Sequence, residues 1–115
     1  MTKVVIDNSM FGMLTLGTGV RAELEARGRG AELRRLEHLG GEVFVWDGRR
    51  DDPDLVEAFE ADPEACGFRI EEVSGPFSVV ALGANYHDSL PHGEVIVTMA
   101  EVAENEGRVI DRRDL

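Results

Sequence analysis

The chain has 115 residues, 43 % of them apolar, which suits one domain (1–115) closing around a single core. Its charge is lopsided: 23 acidic residues face 12 basic ones, a formal net charge of −11, and Lys3 is the only lysine. That balance excludes a basic nucleic-acid binder, which needs clustered Lys and Arg, and the arginine pairs at 34–35, 49–50 and 112–113 each have acids close by.

Acidity of this degree keeps a chain soluble but costs stability through self-repulsion unless counter-ions screen it. Molar salt, where the Debye length falls to about 3 Å, makes it tolerable; so does a role in presenting negative charge to a basic partner. Lysine scarcity favours salt adaptation or a high-GC genome over charge mimicry. One cysteine, Cys66, rules out a disulfide framework or thiolate metal cluster, and a small buried hydrophobe is its plainer reading. With no basic segment leading into an apolar run and no apolar run near 18 residues, a soluble intracellular or particle-borne protein is expected, away from membranes.

In chain order, Lys3 to Asp7 reads as a β-branched, central strand. Residues Asn8 to Gly19 form an unusually apolar, glycine-rich loop carrying Met10, Phe11, Met13, Leu14 and Leu16. Gly19 to Arg27 is helical, with Val20 and Leu24 on one face. Gly28 and Gly30 interrupt it, and Leu33, Leu36 and Leu39 predict a resumed helix over 31–39, stopped by Gly40-Gly41. Glu42 to Trp46 is a strand. Asp52 then caps a helix with Pro53 in its first turn, Asp54 complementing its dipole, and Leu55, Val56 and Phe59 as its buried stripe. Phe68 to Val73 and Phe77 to Leu82, joined by Ser74-Gly75-Pro76, read as a hairpin. Gly83 to Gly93 is a polar loop and Glu94 to Met99 a strand. Ala100 to Glu106 reads as a short helix or strand extension, and Arg108 to Leu115 as a charged tail. The fold class expected is α+β, a mixed β-sheet with two or three helices on one face.

Three islands carry a family resemblance: Lys3-Val4-Val5-Ile6-Asp7-Asn8 with Phe11-Gly12, Arg50-Asp51-Asp52-Pro53-Asp54-Leu55-Val56-Glu57, and Ile70-Glu71-Glu72-Val73. They resemble a family of small proteins in tailed-phage genomes, with an Asn-x-Cys-aromatic-Gly-Gly loop after the first strand and an R-x-D-P-x-L-V segment mid-chain. Tyr86-His87-Asp88 and Gly93-Glu94 stand for its Tyr-Asp-Gly-x-Glu motif, split by an insertion. Met10 replaces the family's cysteine and Met13 its second glycine. The resemblance implies viral origin and a fold, with no activity attached. With the acidic, lysine-poor composition it points to a virus of salt-loving archaea or high-GC bacteria, acting in the host cytoplasm or the virion.

Candidate sites follow from residue types. Met10, Phe11 and Met13 in the loop, with Trp46 beside Arg49 and Arg50, make a partner-contact surface if they are not folded into the core. For small-ligand binding, such as sequestering a nucleotide signal, the candidates are Asn8 and Ser9 past the first strand, Arg49, Arg50 or Arg69 on phosphates, and Trp46 or Tyr86 for stacking. Gly17-Thr18-Gly19 ahead of a helix is an anion-site pattern without the lysine of a phosphate loop. His87, Asp88 and His92, with Glu94, are the densest group of metal-ligand types, but a polar turn is the favoured reading of them and no metal is expected. Minor hydrolase chemistry would fall to His87 and Asp88; no serine has a nucleophile-elbow context. The expectation is a non-enzymatic viral protein working through protein contacts, self-assembly included, with no cofactor; nucleotide-signal binding is the alternative.

Overall fold

The computed structural model describes residues 1–9, 12–38, 40–83, 92–97 and 109–111. The fold is α+β, with strands β1 (Thr2–Asp7), β2 (Thr15–Leu16), β3 (Leu33–His38), β4 (Gly41–Trp46), β5 (Phe68–Val73), β6 (Ser78–Gly83), β7 (Gly93–Val97) and β8 (Val109–Asp111). Helices α1 (Thr18–Ala26) and α2 (Pro53–Ala61) and a 3-10 turn at Gly30–Glu32 complete the described elements. No helix among them is long and apolar enough to cross a membrane.

Among the described residues the strands pair as three small sheets where one mixed sheet was expected. β1 pairs antiparallel with β5; β4 lies between β2 and β3; β6 lies between β7, antiparallel, and β8, parallel. β1 is covered on both faces, as its apolar run predicts, but it is not the central strand expected, since β5 is its one sheet neighbour among the described residues. Val5 belongs to a core with Leu14, Leu16, Val20, Leu24, Trp46, Leu55, Val56 and Phe59. Val4 and Ile6, on the opposite face by strand alternation, pack with Val73, Phe77 and Val79.

The two helices follow their local signals. In α1, Val20 and Leu24 are fully buried, one turn apart. In α2, Asp52 accepts the Asp54 N–H at 2.9 Å, Pro53 opens the first turn, and Leu55, Val56, Ala58 and Phe59 are buried. The two helices pack against each other, and the Phe59 ring meets Phe68 of β5 at 4.7 Å.

Three expectations are corrected. Residues 33–38 are a strand, not a helix: β3 pairs with β4 from Leu33↔Trp46 to His38↔Gly41. Gly28 and Gly30 leave the Leu33–Leu36–Leu39 segment too short to hold a helix alone, while the β-branched and aromatic β4 needs a neighbour. Gly40, at φ +76°, turns this hairpin instead of stopping a helix. The strands at 68–73 and 78–83 do not pair with each other, because β5 pairs along all six residues with β1 while β6 takes β7 and β8. The tail is not wholly irregular, since 109–111 add to β6. The expected element at 100–106 lies outside the described residues.

Candidate functional site

The densest chemistry among the described residues is a buried charged cluster where β1 ends. Asp7 is 0 % exposed, Arg50 5 % and Glu94 3 %, a net of one negative charge inside the protein. β1 delivers Asp7, the segment before α2 delivers Arg50, and the second residue of β7 is Glu94. The backbone locks them in place: the Val5 N–H donates to the Arg50 carbonyl at 2.9 Å, and the Asn8 N–H to the Gly67 carbonyl at 2.9 Å.

Arg50 and Glu94 form a bidentate pair, Nη1 to Oε1 and Nη2 to Oε2, the second at 2.9 Å. Nη1 also reaches the Val5 carbonyl at 3.4 Å. Glu94 Oε1 accepts the Asp7 backbone N–H at 2.8 Å, and its own carbonyl accepts from Arg69 at 3.0 Å. Asp7 Oδ1 accepts from the Ser9 N–H at 2.8 Å and the Ser9 hydroxyl at 2.6 Å. Asp7 Oδ2 and Arg50 Nε are buried with no hydrogen-bond partner among the described residues. Burial pushes the Asp7 carboxyl above the ordinary aspartate range; the Ser9 donors oppose this, the Glu94 charge adds to it, and Arg50 opposes it. Gly93, at φ +76°, sits so close to β1 that a Cβ there would lie 2.6 Å from the Asp7 carbonyl oxygen.

A second feature is an open cleft of about 570 Å³ lined by Arg29, Glu32, Asp47, Gly48, Arg49, Asp51, Asp52 and Pro53. Its two arginines are engaged by acids. Arg29 bridges Glu32, Asp52 and Asp54, the closest contact being 2.6 Å to Asp52 Oδ2, and Arg49 meets Asp51 at 2.9 Å. Four acids against two arginines leave the lining net negative. Arg27, which pairs with Glu23, Asp54 and Glu57, joins α1 to α2 alongside. Arg27 and then Arg29 hold the Asp54 carboxyl below its usual range.

The residues proposed for small-ligand binding are therefore not assembled as one site. Arg50 is buried on Glu94 and cannot face a phosphate. Arg49 lies on the acidic cleft, while Asn8 and Ser9 lie at the Asp7 cluster, with Arg69 reaching Asn8 Oδ1 at 3.4 Å. The N-terminus of α1 at Gly17-Thr18-Gly19 is faced by an anion of the chain itself: a Cβ on Gly19 would lie 2.5 Å from Asp62 Oδ2. Trp46, placed on the contact surface by sequence, is 5 % exposed and part of the core. Its indole N–H donates to the Arg49 carbonyl at 2.9 Å, and the cation over its ring is Arg29, at 5.2 Å, not Arg49 or Arg50. Leu14 is buried and Met13 half-buried; Met10 and Phe11 lie outside the described residues.

Cys66 reverses its expectation, being exposed and not a core residue. Tyr86, His87 and Asp88 lie outside the described residues; His92 is half-buried at the entry to β7. No group of three or more His, Cys, Asp or Glu suited to a metal occurs among the described residues. Sequence reasoning missed the Arg50–Glu94 pair, whose members are 44 residues apart and share no motif. The available signal was Glu94 heading the apolar run Val95-Ile96-Val97, and Asp7 closing a strand of Val and Ile. Comparison of the chain with protein-family models, curated proteins and solved structures returned no match.

Proposed function

We propose that the chain is a non-enzymatic viral protein working through protein–protein contacts, as a particle component or an inhibitor of a host factor, and that it meets its partner with an acidic surface. The supporting observation is the commitment of its cations. Lys3, Arg21, Arg27, Arg29, Arg35, Arg49, Arg50 and Arg69 each pair with a carboxylate. With 23 acids and 12 bases, 23 − 12 = 11 carboxylates would be left over even if every base took one.

The geometry moves the emphasis from an apolar contact to a charged one. Among the described residues the exposed large hydrophobic is Met1, and Trp46 is sealed in the core. An anionic ligand would have to displace Asp51 from Arg49 in a cleft that is already net negative. A basic protein surface meets no such penalty, and charge complementarity raises its rate of encounter.

The immobilised protein, exposed to host lysate, is expected to retain a basic protein at low salt and release it in molar salt. Reversing exposed acids, Glu64→Lys with Glu72→Lys, should weaken that capture without unfolding the chain. Capture that is insensitive to salt and to these reversals, or a small molecule carried through purification and identified by mass spectrometry, would overturn the reading.

A further inference from the structure

We propose that the buried Asp7–Arg50–Glu94 cluster is a proton-operated latch: a proton on Asp7 seats β7 against β1, and its loss loosens that junction. The geometry makes the two carboxylates unequal. Glu94 has both oxygens on the Arg50 guanidinium, whose Nη atoms are thereby committed to Glu94 and the Val5 carbonyl. Asp7 has donors only on Oδ1, both from Ser9, while Oδ2 is buried with none among the described residues. An ionised carboxylate with one bare oxygen in the interior is costly, and a neutral carboxyl much less so.

That charge sits where β7 is attached. β7 meets β1 through Glu94 Oε1 on the Asp7 N–H at 2.8 Å and through Gly93 against the Asp7 carbonyl. The charged groups that act on Asp7 among the described residues are Glu94 on β7 and Arg50 ahead of α2, with Arg69 of β5 reaching the neighbouring Asn8 and the Glu94 carbonyl. Arg69 is directed to the Glu94 carbonyl and Asn8, so it does not supply Asp7 with a second cation. When Asp7 takes a proton from solvent, an O–H bond forms on its carboxylate and no other covalent bond changes; the cluster passes from one net negative charge to none, and the repulsion across the Asp7–Glu94 contact is removed. The sign follows: a carboxyl whose folded-state midpoint lies above its unfolded one favours the closed junction at low pH. It withdraws that favour as pH rises from the unfolded midpoint through the folded one.

The test follows the Asp7 carboxyl carbon by NMR titration of the full chain, together with amide hydrogen exchange at Asp7 and Glu94 to Val97, corrected for intrinsic pH dependence. Protection should fall as Asp7 ionises, about tenfold for each pH unit separating its folded and unfolded midpoints. Asp7→Asn should abolish the step and hold protection at the low-pH level. Glu94→Gln, which removes the second carboxylate, should move the Asp7 midpoint down; if it unfolds the chain, the Asp7→Asn arm decides alone. Asp7 titrating at or below the ordinary aspartate value, or a pH step that persists in Asp7→Asn, would refute the latch.

Discussion

Asp52→Ala removes two things at once, and the structure gives the size of each. The Asp52 carboxylate caps α2 through the Asp54 N–H at 2.9 Å, and losing such a cap costs about 1 kcal/mol. It also takes a fork from Arg29, with Oδ1 at 2.8 Å and Oδ2 at 2.6 Å, and its side chain is only 15 % exposed. Hydrogen bonds to charged groups are worth about 1.5–3 kcal/mol, but Arg29 is 24 % exposed and keeps Glu32 and Asp54, so about 1 kcal/mol is the fair share here. The sum is about 2 kcal/mol, or a fall in Tm of roughly 8 °C for a domain of this length. Urea unfolding followed by the fluorescence of Trp46, the single tryptophan and the ring beneath Arg29, measures it directly. Asp52→Asn keeps the cap and gives up the charge, so it should cost about half as much. A loss below about 0.5 kcal/mol in Asp52→Ala, or equal losses in the two variants, would refute this division between cap and ion pair.

Gly93→Ala should destabilise by more than about 2 kcal/mol in the same assay, since it combines a positive φ with a Cβ 2.6 Å from the Asp7 carbonyl; a neutral substitution would show that β7 can move away from β1 freely. Cys66 should react with a thiol reagent in the folded protein at nearly the rate of the unfolded chain, and strong native protection would contradict its exposure. Melting temperature should rise from low to molar KCl, because screening relieves repulsion among the excess carboxylates; a flat or falling profile would separate the acidity from salt adaptation.

What could be read from the sequence was what local physics decides. The start of α2 was legible because Asp52, Pro53 and Asp54 do their work within one helical turn, and the buried stripe of Leu55, Val56 and Phe59 needs only a period. The burial of β1 was legible because a continuous Val-Val-Ile run is stable only with both faces covered, whereas its place in a two-stranded sheet with β5 was not. The leucine spacing at 33, 36 and 39 misled because it suits a helix while the structure of residues 33–38 is set by a neighbour: Leu33 stands opposite Trp46, and no window of sequence contains that pairing. The hairpin expected across Ser74-Gly75-Pro76 fails for the same reason, since β1, 61 or more residues upstream of β5, takes the edge that adjacency would have assigned to β6.

The site was less legible than the fold because its members are joined only by closure of the chain. Asn8, Ser9 and Arg50 were singled out as ligand groups, yet Arg50 is held by Glu94 and Ser9 by Asp7, so their polarity is turned inward. The arginines that sequence reading set beside Trp46 as a binding surface are likewise committed, one to Asp51 and one to Glu94, while the distant Arg29 takes the place over the ring. Arginine in this chain therefore serves to hold elements together: Arg27 and Arg29 tie α1 and the 3-10 turn to the start of α2, and Arg50 ties β1 to β7. A chain that uses its cations internally has few to offer a phosphate, and it is left with a surplus of carboxylate. The two uses of charge differ in their response to salt, because a Debye length of about 3 Å at molar salt screens the exposed carboxylates and barely reaches a pair that is 5 % and 3 % exposed. High salt thus relieves the repulsion on the outside while leaving the Arg50–Glu94 tie intact, and this allows so acidic a surface to coexist with a buried polar cluster at the end of β1.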